Sequence, residues 1–81
     1  EHDLLASCYR SSLAIAADKK LRSLAFPCIS TGVYGFPKDE AAVIAVNEVR
    51  RFLRENSRPE KIIFVTFDDE SYRIYSELLK E

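Results

Sequence analysis

Leu24-Ala25-Phe26-Pro27-Cys28-Ile29-Ser30-Thr31-Gly32-Val33-Tyr34-Gly35-Phe36-Pro37 is the stretch on which the fold turns. It opens as an apolar run, passes through a loop that holds both glycines of the chain, and closes at a proline. A continuous rather than alternating apolar run predicts a strand over 23–29 that is covered on both faces, as in a parallel sheet. Pro27 has no N–H to give to a ladder, which argues against a central strand and places it where pairing ends. Pro37 suits the first position of a helix, where its missing N–H costs nothing. Asp39 and Glu40 then fall in the first turn, where they complement the helix dipole. A small-residue loop between a strand and a helix aims backbone N–H groups and the positive end of that dipole at one point, a natural place to bind phosphate.

Working outward, the helix runs from Pro37 to about Glu55. Ala41, Ala45, Val49, Phe52 and Leu53 share one face, and Asn47, Arg50, Arg51 and Arg54 lie away from it. The small residues at 41, 42 and 45 permit close approach to a sheet. Asn56-Ser57-Arg58-Pro59 ends the helix in a turn. Lys61 to Phe67 is the clearest strand, because Ile62-Ile63-Phe64-Val65 is β-branched and aromatic with no polar alternation. Asp68 is a good N-cap for a last helix to about Lys80. Its apolar face holds Tyr75, Leu78 and Leu79, with Tyr72 and Ile74 at the edges. Upstream, Asp3 to Asp18 reads as a helix capped by Asp3, with Leu5, Cys8, Tyr9, Ser12, Ile15 and Ala16 in one stripe. Lys19, Lys20 and Arg22 suit its negative pole. The fold class is therefore α/β, in the order α-β-α-β-α. Residues 23–67 form one parallel, right-handed βαβ unit.

Eighty-one residues make a single small domain, 1–81. An apolar content of 47% with 31% charged residues excludes a disordered chain. A net charge of −1 gives no sign of a broad nucleic-acid surface, and the basic clusters at 19–22 and 50–54 read as solvated helix faces rather than a phosphate-backbone groove. Cys8 and Cys28 with one histidine do not make a zinc site, and they read as reduced thiols of a cytoplasmic protein. No apolar run approaches the ~20 residues of a membrane span, and no signal peptide is visible. The chain opens at Glu1 rather than Met, as a processed product or an excerpt does.

Two parallel strands make a poor sheet. Three helices over them leave strand edges open and apolar surface uncovered. More sheet is expected beside this piece, from further sequence, a complementary chain or a domain-swapped copy of this one.

Ligands of open α/β sheets sit beyond the carboxyl ends of the strands. Both strands end in useful chemistry there. Gly32 and Gly35 allow a close backbone approach. Ser30 and Thr31 supply hydroxyls, Tyr34 and Phe36 can cover a sugar, and Phe67 can stack on a base. The plain alternative is an ordinary βα turn with core aromatics. The loop lacks the Lys-Ser/Thr of a Walker A sequence and lacks G-x-G-x-x-G. Ser30-Thr31-Gly32 fits a flavin mononucleotide phosphate loop only loosely. Asp68-Asp69 can be a general base, a metal ligand or a helix cap. His2 reads as a terminal surface residue, and Tyr72 and Tyr75 as packing residues.

Leu4 to Leu13, Ala25 to Pro37, Ala41-Ala42, Phe64-Val65 and Phe67-Asp68 through Tyr75 together strongly resemble the macro domain family. The closest likeness is to its branch of ADP-ribosyl hydrolases and O-acetyl-ADP-ribose deacetylases. The resemblance implies a three-layer α/β/α domain of which this chain is about half, the carboxy-terminal half. It implies ADP-ribose or an ADP-ribosylated substrate as ligand. Ser30, Thr31, Gly32, Val33, Tyr34, Gly35 and Phe36 would wrap the diphosphate and line the distal ribose, and Phe67 would stack on adenine. It also implies a proline at the position of Pro27. The family's acidic adenine-reading residue, its Asn-Ala-Asn type segment and its second Gly-rich loop are not in this sequence. The resemblance therefore assigns no catalytic residue, metal or cofactor here. A parent enzyme, a non-catalytic ADP-ribose reader, and a fragment that only assembles with a partner remain the three readings.

Overall fold

The computed structural model describes residues 2–28 and 37–80. Helix α1 (His2–Asp18) leads into strand β1 (Ser23–Pro27), helix α2 (Lys38–Glu55), strand β2 (Lys61–Val65) and helix α3 (Asp69–Leu79). The order is the one expected. The strands pair in parallel, with Phe26 opposite Phe64 and Pro27 opposite Val65. Pro27 is thus the last residue of β1, and Cys28 N–H makes the next bond, to Val65 O at 2.9 Å.

The strands differ from expectation in how they are covered. Leu24, Phe26, Ile62 and Phe64 are half-buried, whereas Ser23, Ala25, Pro27, Lys61, Ile63 and Val65 are exposed. Side chains alternate across a strand, so every second residue faces the layer of helices and the others face away from it. Tyr9 of α1 packs on Phe26 at 4.8 Å between ring centroids. Phe26 lies 6.1 Å from Phe64, and Phe64 lies 4.9 Å from Tyr75 of α3. This aromatic row crosses the sheet from one helix to the other. The opposite face carries Ile63 and Val65, 41% and 38% exposed.

The core lies where α2 meets its neighbours. Ala42, Ala45, Val46 and Tyr75 are buried together, with Tyr9, Cys28, Phe64, Ile74 and Leu78 against them. Alanines at 42 and 45 let the α2 backbone approach closely, but it does so against α1 and α3 rather than against the sheet as expected. Leu13 of α1 is fully buried, while Cys8 and Ile15 of the expected stripe are exposed. Phe52 and Leu53 are only half-buried, and Tyr72 and Leu79 are exposed. Glu48 sits on the buried side of α2 and takes Arg10 Nη1 at 3.3 Å on Oε2. Its Oε1 has no hydrogen-bond partner among the described residues.

The helix ends differ in small ways. α1 begins at His2, which places Asp3 inside the first turn rather than at the cap. Its far end closes as a Schellman turn, in which Leu21 N–H donates to Ala16 O (2.9 Å) and Lys20 N–H to Ala17 O (3.0 Å). Lys20 takes the left-handed conformation this turn demands, at φ 57°. Pro37 is the N-cap of α2, one position before the expected N1. No helix among the described residues is long and apolar enough to cross a membrane.

Candidate functional site

The carboxyl ends of β1 and β2 and the amino ends of α2 and α3 come together at one edge of the molecule. Asp68 is central to it. Its Oδ1 accepts Ser71 N–H at 2.7 Å, closing the α3 amino terminus as a side-chain cap. Its Oδ2 accepts Lys38 Nζ at 2.9 Å, and Glu70 Oε1 accepts the same ammonium at 3.5 Å. Of the three roles the sequence left open for Asp68, the structure shows the helix cap. No group of three or more His, Cys, Asp or Glu side chains suited to a metal ion occurs among the described residues.

Lys38 was not legible as a site residue. It had one signal. A cation in the first turn of a helix opposes the dipole, so it needs an anion from elsewhere. Asp68 and Glu70 supply it from α3. The hydrogen bond from Lys38, then those with Ser71, push the Asp68 carboxyl down to about 2, and the same Lys38 contact raises Lys38. A carboxylate so acidic is a poor proton acceptor near neutral pH, since a general base works best with a pKa close to the working pH. Asp68 therefore acts here as a fixed charge and a cap.

Beneath this edge lies a cavity of about 20 Å³ bordered by Tyr9, Cys28, Lys38, Ala41, Ser71 and Tyr75. That is room for about one water and not for an organic ligand. Burial raises the Tyr75 hydroxyl, and its hydrogen bond with Cys28 raises it further. Burial also raises the Cys28 thiol, against the opposing effect of the Tyr75 hydroxyl. Cys28 Sγ donates weakly to Phe26 O at 3.7 Å. Cys28 is half-buried and packs against the Ala42–Ala45–Val46–Tyr75 cluster as a core-side thiol. Cys8 is exposed, and no disulfide joins the two.

Phe67 is 63% exposed at the end of β2, between Val65 and the capping Asp68. Its ring offers a free apolar surface where the strand opens onto the helix termini. The other expected site residues, Ser30, Thr31, Gly32, Val33, Tyr34, Gly35 and Phe36, lie outside the described residues, as does Ile29. Their flanks are described. Cys28 and Pro37–Lys38 both belong to this edge.

A parallel βαβ unit whose strand ends and helix amino termini converge, with an exposed aromatic beside them, defines an α/β domain with an open edge at its strand carboxyl ends. The family profile described as Macro domain matches residues 1–45, more than half of the chain. The chain belongs to the macro domain family. It is 55% identical over 75 residues to a macro domain-containing protein of Mesorhizobium japonicum, covering 93% of this chain and 43% of that one. It is 52% identical over 79 residues to an O-acetyl-ADP-ribose deacetylase of Klebsiella pneumoniae, covering 98% of this chain and 45% of that one. The crystal structure of a Trypanosoma brucei macrodomain in complex with ADP-ribose superposes with a TM-score of 0.90 at 40% identity, over 99% of this chain and 35% of that one. The chain thus spans less than half the length of these relatives.

Proposed function

We propose that residues 1–81 are the carboxy-terminal half of a macro domain that binds ADP-ribose and hydrolyses ADP-ribosyl or O-acetyl-ADP-ribose esters. In this reading Phe67 stacks on adenine, and Ser30 to Phe36 wrap the diphosphate and line the distal ribose. The observation that carries it is the exposed Phe67 at the convergent strand and helix ends, in a chain that superposes closely on a macrodomain bound to ADP-ribose. The uncovered sheet face with Ile63 and Val65 then belongs against the other half of the domain, in the same chain or in a complementary one. The described residues supply positioning and fixed charge, and proton transfer falls to groups outside them.

The test is calorimetry with ADP-ribose on the complete domain, followed by an assay on O-acetyl-ADP-ribose and on an ADP-ribosylated glutamate peptide. Binding with turnover supports the enzyme. Binding without turnover on either substrate replaces it with a non-catalytic reader, and no binding overturns the reading.

A further inference from the structure

Phe67 is bracketed by two ties. Two residues before it, Val65 O accepts Cys28 N–H at 2.9 Å. One residue after it, Asp68 Oδ2 accepts Lys38 Nζ at 2.9 Å. The first tie continues the backbone ladder, and any sequence in this fold can make it. The second depends on two side chains 30 positions apart. Asp68 divides its oxygens, one closing α3 through Ser71 and the other holding the first turn of α2. Glu70 adds a second anion at 3.5 Å on the same ammonium. The start of α2 and the turn that carries Phe67 are thereby coupled.

We propose that Lys38 and Asp68 are positioning residues that fix the register between the start of α2 and Phe67, so that a nucleoside diphosphate reaching both is bound as one unit. This rests on the ADP-ribose reading above, and neither residue needs to touch the ligand. A ligand that spans the edge loses affinity when the two walls drift, because its second contact is no longer preorganised by its first. A fragment that meets one wall loses nothing. The pair is partly exposed, with side chains 36% and 48% accessible, so the expected effect is that of a screened ion pair. It amounts to roughly two- to fivefold in affinity.

The test uses Lys38→Met and Asp68→Asn in the complete domain. Asparagine keeps the α3 cap and removes only the charge. ADP-ribose affinity is expected to fall roughly two- to fivefold in each variant, and no further in the double variant. Adenosine and pyrophosphate, measured separately by NMR, are expected to bind as in the unaltered domain, and Lys38→Arg is expected to restore ADP-ribose binding. Unchanged ADP-ribose affinity, or an equal loss for adenosine, overturns the proposal. A carbon-13 titration of the Asp68 carboxyl, which faces Lys38, Glu70 and Ser71, is read without ligand in the complete domain and its Lys38→Met variant. Identical titration in both overturns the tie itself. An unaltered complete domain that binds no ADP-ribose overturns the ligand reading instead.

Discussion

Replacing Phe67 with alanine separates a binding role from a folding role, because the structure assigns the two very different magnitudes. The residue is 63% exposed, so little more than a third of it is covered by the fold. Full burial of a phenylalanine side chain contributes about 1.5–3 kcal/mol, so truncation here costs stability only about 0.5–1 kcal/mol. Loss of a base-stacking ring costs binding about 1–3 kcal/mol, or roughly 5- to 150-fold in affinity. Phe67→Ala should therefore lower the unfolding temperature of the 81-residue chain by only a few degrees, while the complete domain carrying it loses ADP-ribose affinity by at least about fivefold. Phe64→Ala is the control. That ring is half-buried and packs 6.1 Å from Phe26 and 4.9 Å from Tyr75, so its loss should cost stability about 1.5–2.5 kcal/mol, roughly half the full-burial cost. The assay pairs calorimetry with urea unfolding. A Phe67→Ala domain that keeps full ADP-ribose affinity, or that loses as much stability as Phe64→Ala, refutes the reasoning.

The fold makes three further predictions. Leu13 is fully buried, so Leu13→Ala should destabilise the chain by about 2–5 kcal/mol in chemical denaturation, and a loss below 1 would contradict its place in the core. Lys20 holds a left-handed conformation without being glycine, so Lys20→Gly should stabilise by about 0.5–1 kcal/mol, measured as a shift in urea midpoint. Asp68 is depressed from 3.8 to about 2, so its stabilising tie is fully present above 3.8 and is lost as pH falls through about 2. Lys38 is raised above 10.5, so its side of the tie is lost only as pH rises beyond that. Amide exchange at Phe67 and Lys38 should thus show an acid-induced loosening in that low window, and Lys38→Met should move the window up toward 3.8, with the Ser71 cap still holding it below that value.

Much of this was legible in the sequence, where local chemistry decides the outcome. The β-branched run at 62–65, the cap at Asp68 and the polar face at Asn47, Arg50, Arg51 and Arg54 depend on a few neighbouring residues, and the structure has each of them. The strand faces were not legible. An uninterrupted apolar run reads as doubly buried, and nothing in it says that Ile63 and Val65 stay exposed in this chain. The burial of Leu13 in place of Cys8 and Ile15, and of Val46 in place of Phe52 and Leu53, depends on how α1 and α2 cross, and helical periodicity leaves that rotation open. The Schellman turn at Lys20 was hidden because its usual glycine is missing. The pairing of Lys38 with Asp68 was hidden by distance along the chain, although a cation in a helix's first turn was a clue. At the candidate site, Phe67 was readable as an aromatic at a strand end. Its exposure depends on which face the helices cover.

The most direct test of the account is calorimetric titration of ADP-ribose into the complete domain and, side by side, into the 81-residue chain. The account predicts saturable binding by the complete domain, and heat that is weak or absent with the 81 residues alone. Equal, tight binding by the 81 residues would contradict the claim that this edge is one half of a site, and no binding by the complete domain would contradict the site itself.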